Sequence, residues 1–190
     1  MKLLLKTEEL GTLAKLLGEK LDYVAGNYLT SGLNSDVVYV RAGSQTISVT
    51  GDVAELDFGG FEEDFAYLKV AEIKDMDSIA AHHEVGKSFQ QSGEVITAIE
   101  IGCLRSVNHL HSGNDVSVTT DRTIILHLTG GSLTIALRSL HLEMIEMVFA
   151  DVTTEPQIRP LSTHYTDESA DRFEFTESVV ALDEALSRCP

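Results

Sequence analysis

Two histidines one residue apart, His109 and His111, stand shortly before Asp115 in the stretch Ser106-Val-Asn-His-Leu-His-Ser-Gly-Asn-Asp. On an extended strand, side chains two residues apart leave the same face. Both rings could then reach one metal ion, and Asp115 or a strand neighbour could complete the set. No third ligand follows at a helical or strand spacing. His82 and His83 are adjacent and would diverge around a helix, His127 falls on the polar face of a hairpin, and His141 and His164 have no partner near in sequence. The turn-forming run Ser112-Gly113-Asn114-Asp115 follows at once, so the pair reads as a strand end entering a polar loop. No metal is expected, with His109 and His111 the candidate ligands if one binds.

A second pattern, Ala81-His-His-Glu-Val-Gly-Lys-Ser88, satisfies a relaxed phosphate loop in which alanine replaces the first glycine. Lys87 would meet the β- and γ-phosphates and Ser88 a magnesium ion, with Met147-Val-Phe-Ala-Asp151 as an apolar strand ending in an acid. The context is wrong for this chemistry. A phosphate loop leaves a buried parallel strand and opens a helix, whereas the residues before Ala81 are acidic and begin a helix themselves. There is no Gly-x-Ser-x-Gly elbow, and neither Cys103 nor Cys189 has a neighbour that would activate a thiolate. Carboxylate pairs such as Glu55/Asp57 and Glu143/Glu146 are too common in an acidic chain to mark general acid–base catalysis. A protein without enzymatic activity or cofactor is expected.

Charge carries more information. The 190 residues hold 14 Lys+Arg against 30 Asp+Glu, a net charge of −16, and each third of the chain is net negative. Such a surface repels phosphate backbones and anionic lipid and favours a basic protein partner. The run Glu62-Glu63-Asp64 offers adjacent bidentate acceptors to arginine, and Asp167, Glu168 and Asp171 form a second acidic group. These six residues are the expected partner contacts.

The elements that must position them are read from hydrophobic period. Thr7 is a good N-cap for a helix over about residues 8–22, with leucines at 10, 13, 17 and 21, weakened by Gly11 and Gly18. From Asp36 the period changes to two, giving strands at 37–40, 46–50 and 65–73. A short middle helix is expected between Asp75 and Gln91, and the chain is then strand-like from Gly93 to Phe149. Within it, residues 122–138 form a hairpin about Gly130-Gly131. Thr129 opposite Ser132 would align Leu128–Leu133, Leu126–Ile135 and Ile124–Leu137 on one apolar face. Residues 140–149 fit a bulged strand better than a helix. A short strand at Arg172-Phe-Glu-Phe precedes a C-terminal helix capped at Thr176-Glu-Ser, with Val179, Leu182 and Leu186 at helical spacing. The predicted fold is one α+β domain over 1–190, mainly antiparallel sheet, with an N-terminal, a short middle and a C-terminal helix.

No apolar run of about 18 residues exists to span a bilayer, and Met-Lys-Leu-Leu-Leu-Lys is too short for a secretory signal, so the cytoplasm is expected. Gly93-Glu-Val-Ile-Thr-Ala-Ile-Glu-Ile, Asp121-Arg-Thr-Ile-Ile-Leu-His-Leu-Thr-Gly-Gly-Ser-Leu-Thr-Ile and Ser139-Leu-His-Leu-Glu-Met-Ile together resemble small bacterial proteins that include immunity proteins of contact-dependent or polymorphic toxin systems. The likeness covers residues 93–149, rests on strand order and residue types, and transfers no functional residue. It implies an intracellular inhibitor that masks a cognate toxin, often a basic nuclease. Two other readings compete: a metal- or nucleotide-dependent enzyme at His109/His111 or Lys87/Ser88, and an oligomeric scaffold joined through a free sheet edge or the leucine face of the first helix.

Overall fold

A computed structural model describes residues 1–26, 34–60, 62–74, 93–110, 113–139, 143–151 and 172–188. Alternating apolar and polar residues make most of this chain extended, in eleven strands among the described residues. β2 (Leu21–Gly26), β4 (Val37–Ala42), β5 (Gln45–Asp57) and β6 (Glu62–Glu72) form an antiparallel sheet in that order. The larger sheet runs β11 (Arg172–Ala181), β7 (Ile96–His109), β8 (Val116–Leu128), β9 (Gly131–Leu137), β10 (Ile145–Asp151), β3 (Asn34–Ser35). The short β1 (Lys2–Leu3) adds to β8 in parallel.

Inward residues of both sheets meet in one core. Val38, Val40, Ile47, Val49 and Leu68 from the smaller sheet join Ile101, Ile124, Leu126, Leu133 and Ile135 from the larger, all at most 1% exposed. Each such side chain contributes about 1.5–3 kcal/mol by leaving water. Two short helices close one side of this core. α1 (Thr7–Ala14) supplies Leu10 and Leu13, and α2 (Leu182–Ser187) supplies Leu182 and Ala185. Glu9 fixes α1 by accepting hydrogen bonds from Lys6 N–H (2.7 Å) and from Val70 N–H on β6 (3.1 Å).

The α+β expectation with three helices is overturned: the fold is mostly antiparallel sheet with two short helices among the described residues. The first helix stops at Ala14 instead of reaching 22. Gly18 adopts a left-handed conformation (φ 81°), the chain turns, and Leu21 enters β2. Its helical face changes accordingly, with Leu16 buried and Leu17 42% exposed. The N-cap is Lys6 rather than Thr7, because the Glu9 carboxylate takes the Lys6 N–H. At the C-terminus the strand continues to Ala181 and only Leu182–Ser187 are helical. Pairing with β7 along all ten residues of β11 outweighs the local cap signal of Thr176-Glu-Ser. The expected middle helix at 75–91 lies outside the described residues.

The hairpin has the expected faces but a register shifted by two. Leu128 pairs with Gly131, Leu126 with Leu133 and Ile124 with Ile135, so Thr129-Gly130 is the two-residue turn. Gly131 is consumed elsewhere. It pairs with Asp151 of β10, and a Cβ there would collide with the Ala150 carbonyl oxygen. The glycine serves a neighbouring backbone rather than the turn. Of the bulged strand expected over 140–149, residues 145–149 are extended within β10 and pair with β9 without a register shift, while 140–142 lie outside the described residues.

Candidate functional site

The β5–β6 hairpin tip is built on aromatic packing. Phe58 and Phe65 are buried with ring centroids 5.0 Å apart in an edge-on arrangement, and Phe58 also stacks on Phe173 of β11 at 5.9 Å. Gly59 and Gly60, at φ 88° and 95°, turn the chain. The Gly60 N–H donates to Asp57 Oδ1 (2.6 Å), and Asn108 Nδ2 of β7 donates to the Phe58 carbonyl (2.7 Å). These contacts place the tip beside the end of β7 and the start of β11.

Three of the expected partner contacts, Glu62, Glu63 and Asp64, lie on β6 at this tip. In register, Glu55 faces Asp64 and Asp57 faces Glu62 across the strand pair. Like charges directly opposite on an antiparallel pair are destabilising. Glu62 and then the charge of Asp64 hold the Glu55 carboxyl above its ordinary value. The other three, Asp167, Glu168 and Asp171, lie outside the described residues, as do Lys87 and Ser88.

His109 reaches the same end of the molecule. Its Nδ1 is 3.0 Å from Asp115 Oδ2 and its Nε2 is 3.0 Å from Glu174 Oε2 of β11. Two carboxylate acceptors require both ring nitrogens to carry protons, so the geometry fits the imidazolium form. Glu174 first, with Asp115, raises its pKa above the ordinary 6.5. Both nitrogens are engaged by carboxylates, His111 lies outside the described residues, and no group of three or more His, Cys, Asp or Glu among the described residues could hold a metal ion.

The sign of the resulting pH dependence is fixed. A folded-state pKa above the unfolded one contributes stability that is complete below about 6.5 and is lost as pH rises through the folded value. His109→Gln is therefore expected to destabilise the protein at about pH 5.5 and to do so less at about pH 8.5. Denaturant melts of both proteins at the two pH values, with an NMR titration of the ring, measure this. A folded pKa at or below 6.5 would contradict the two-carboxylate clamp.

Sequence reasoning missed a buried polar group farther along β7, at Cys103. The β7–β8 register shifts between Gly102 and Cys103, so Asp121 pairs with Cys103 and Arg122 is the extra residue of a bulge. The Cys103 thiol donates to Asp121 Oδ1 (2.9 Å), Arg188 Nη1 donates to Cys103 Sγ (2.9 Å), and Asp121 Oδ2 accepts the Leu5 N–H (2.9 Å). Burial first, then Asp121, pushes the thiol up to about 12, while burial raises Asp121. Arg122, lowered by burial to about 10, donates to the carbonyls of Leu137 (3.2 Å) and Ser139 (2.6 Å) and pins the end of β9. Cys103 is thus a protonated structural thiol and a poor nucleophile at neutral pH. In a Cys189→Ser background, a disulfide reagent at pH 7.5 is expected to react only as fast as the protein opens. Immediate stoichiometric reaction would overturn that assignment.

No family model, curated protein or solved structure matches the chain. Among the described residues no helix is long and apolar enough to cross a membrane.

Proposed function

We propose that this protein is a non-enzymatic module that binds a basic protein partner through the acidic end formed by the β5–β6 tip. The observation that carries this reading is the facing of like charges, Glu55 with Asp64 and Asp57 with Glu62, on a tip held by buried aromatic rings. A fold that keeps such pairs sacrifices stability, and a cationic partner would relieve the repulsion when it docks. The form of module proposed is a cytoplasmic inhibitor masking a basic toxin such as a nuclease. That finer reading is supported by the resemblance of residues 93–149 together with the net charge of −16.

Affinity co-purification from native cells, followed by co-expression of whatever is retained, tests both levels. Retention of a basic protein at low salt, its release at high salt, and rescue of growth when it is toxic are expected. If only neutral or acidic proteins are retained, the module reading fails; if a basic partner is harmless, the inhibitor form fails alone.

A further inference from the structure

Among the described residues the larger sheet ends at β11. β11 pairs with β7 residue for residue, from Arg172 opposite His109 to Ala181 opposite Glu100, without the register shifts that interrupt β7–β8. Its ten residues, Arg-Phe-Glu-Phe-Thr-Glu-Ser-Val-Val-Ala, contain no proline or glycine. Among the described residues no strand lies on its other side. Glu174 and the run Thr176 to Val179 are exposed, and Val179 is one of the few large apolar side chains left in water among the described residues, at 40%. An edge this long and regular is ordinarily blunted by a bulge, a proline or a covering element. The edge of β6 shows such covering, where Glu9 of α1 takes the Val70 N–H.

The edge is also held at both ends. Phe173 stacks on Phe58 and Glu174 meets His109 at the start, while Leu182 and Ala185 are buried and Arg188 reaches Cys103 at the finish. A strand fixed in this way presents its backbone donors and acceptors with little ordering left to lose on binding.

We infer that the outer edge of β11 is a docking edge, on which an extended basic segment of the partner adds as a further strand. The inference rests on the basic-partner reading above and extends it from charge to shape. Backbone hydrogen bonds would supply affinity, and cationic side chains at alternate positions would supply selectivity. Charge selects this occupant over a second copy of the chain. Among the side chains described from Phe173 to Arg188, the exposed charged ones are Glu174, Glu177, Asp183 and Glu184, and a second molecule of charge −16 would bring the same acids against them. The edge is continuous with the acidic tip, because Phe173 touches Phe58, so one partner can cover both.

The test compares two short capped peptides of equal charge, one alternating lysine with valine and a counterpart methylated at every backbone nitrogen. A methylated nitrogen has no N–H to give on either side of a strand, so the counterpart cannot donate to a ladder. With full-length protein at low salt, the lysine–valine peptide is expected to bind about tenfold or more tightly than its counterpart. It should also slow amide exchange at every second residue between 172 and 181, as a ladder bonds alternate residues. Equal binding of the two peptides with exchange along β11 unchanged would overturn strand addition and leave the basic-partner reading standing. Binding of neither would count against both. Protection of every amide of β11 in the free protein would overturn the inference, because the edge would already be occupied by a second copy or by the chain itself; mass in solution would tell these apart.

Discussion

Replacing Phe65 with alanine is expected to cost about 3–5 kcal/mol of folding stability and to loosen the acidic tip as it does so. Phe65 is 1% exposed and belongs to the small core of Phe58 and Val118, against which Leu3, Leu56, Val116 and Phe173 pack. Its removal deletes the ring-edge contact at 5.0 Å that fixes Phe58, and Phe58 carries both the stacking to β11 and the carbonyl held by Asn108. A chemical denaturation curve gives the loss, and amide exchange at residues 57–64 reports the loosening. Phe65→Leu refills much of the volume and is expected to recover more than half of the stability. A loss below about 1 kcal/mol for the alanine variant would mean that the tip does not depend on this core.

The second large effect has the opposite sign for stability and for binding. The triple variant Glu62→Gln, Glu63→Gln, Asp64→Asn removes the carboxylates opposite Asp57, Leu56 and Glu55 while keeping side-chain size. It is expected to fold at least as stably as the parent, since two facing like-charge pairs disappear, and the gain should shrink in high salt. Neutralising Glu62 also removes the largest cause of the raised Glu55 pKa, so Glu55 should titrate lower than in the parent. Binding of a basic partner should weaken, chiefly through a slower association rate, by about tenfold or more. Thermal melts at low and high salt and a carboxylate NMR titration check the first part without any partner in hand.

Local pattern made the sheets legible, and nonlocal pairing supplied what it could not. The strands at 37–40, 46–50 and 124–137 show in the sequence because Val38, Val40, Ile47, Val49, Ile124 and Leu126 line the main core, while Val37 and Tyr39 are buried on the opposite face in a smaller cluster. The same pattern cannot say which glycine of Gly130-Gly131 makes the turn, because the choice depends on how closely β10 approaches Gly131. The C-terminal strand was hidden for a related reason. Thr176-Glu-Ser and the spacing of Val179, Leu182 and Leu186 suit a helix locally, yet β7 offers hydrogen bonds to the whole stretch up to Ala181. In the first segment Leu10 and Leu13 are buried as the period predicts, but the helix ends at Ala14 and the turn through Gly18 leaves Leu17 exposed and carries Leu21 into β2.

The candidate site divides in the same way. Glu62, Glu63 and Asp64 stand out as an acidic run, but their opposition to Asp57 and Glu55 exists only once β5 and β6 are in register. His109 stands out with Asp115 nearby, while its second carboxylate, Glu174, comes from a strand 65 residues away. Cys103, Asp121 and Arg188 meet across a bulge that no short-range signal marks. An Arg188→Lys change, which keeps the charge but not the planar fork, sits at the point where two of these distant segments join.

The acidic tip as the contact for a basic partner is tested most directly by the association rate of the co-purified partner with the parent and with the Glu62→Gln, Glu63→Gln, Asp64→Asn variant, measured across a salt series. The expected result is a steep fall of the parent's rate with salt, a rate for the variant at least about tenfold lower at low salt, and convergence of the two at high salt. Equal rates at every salt concentration, from a variant that remains folded, would contradict a role for the acidic tip in binding.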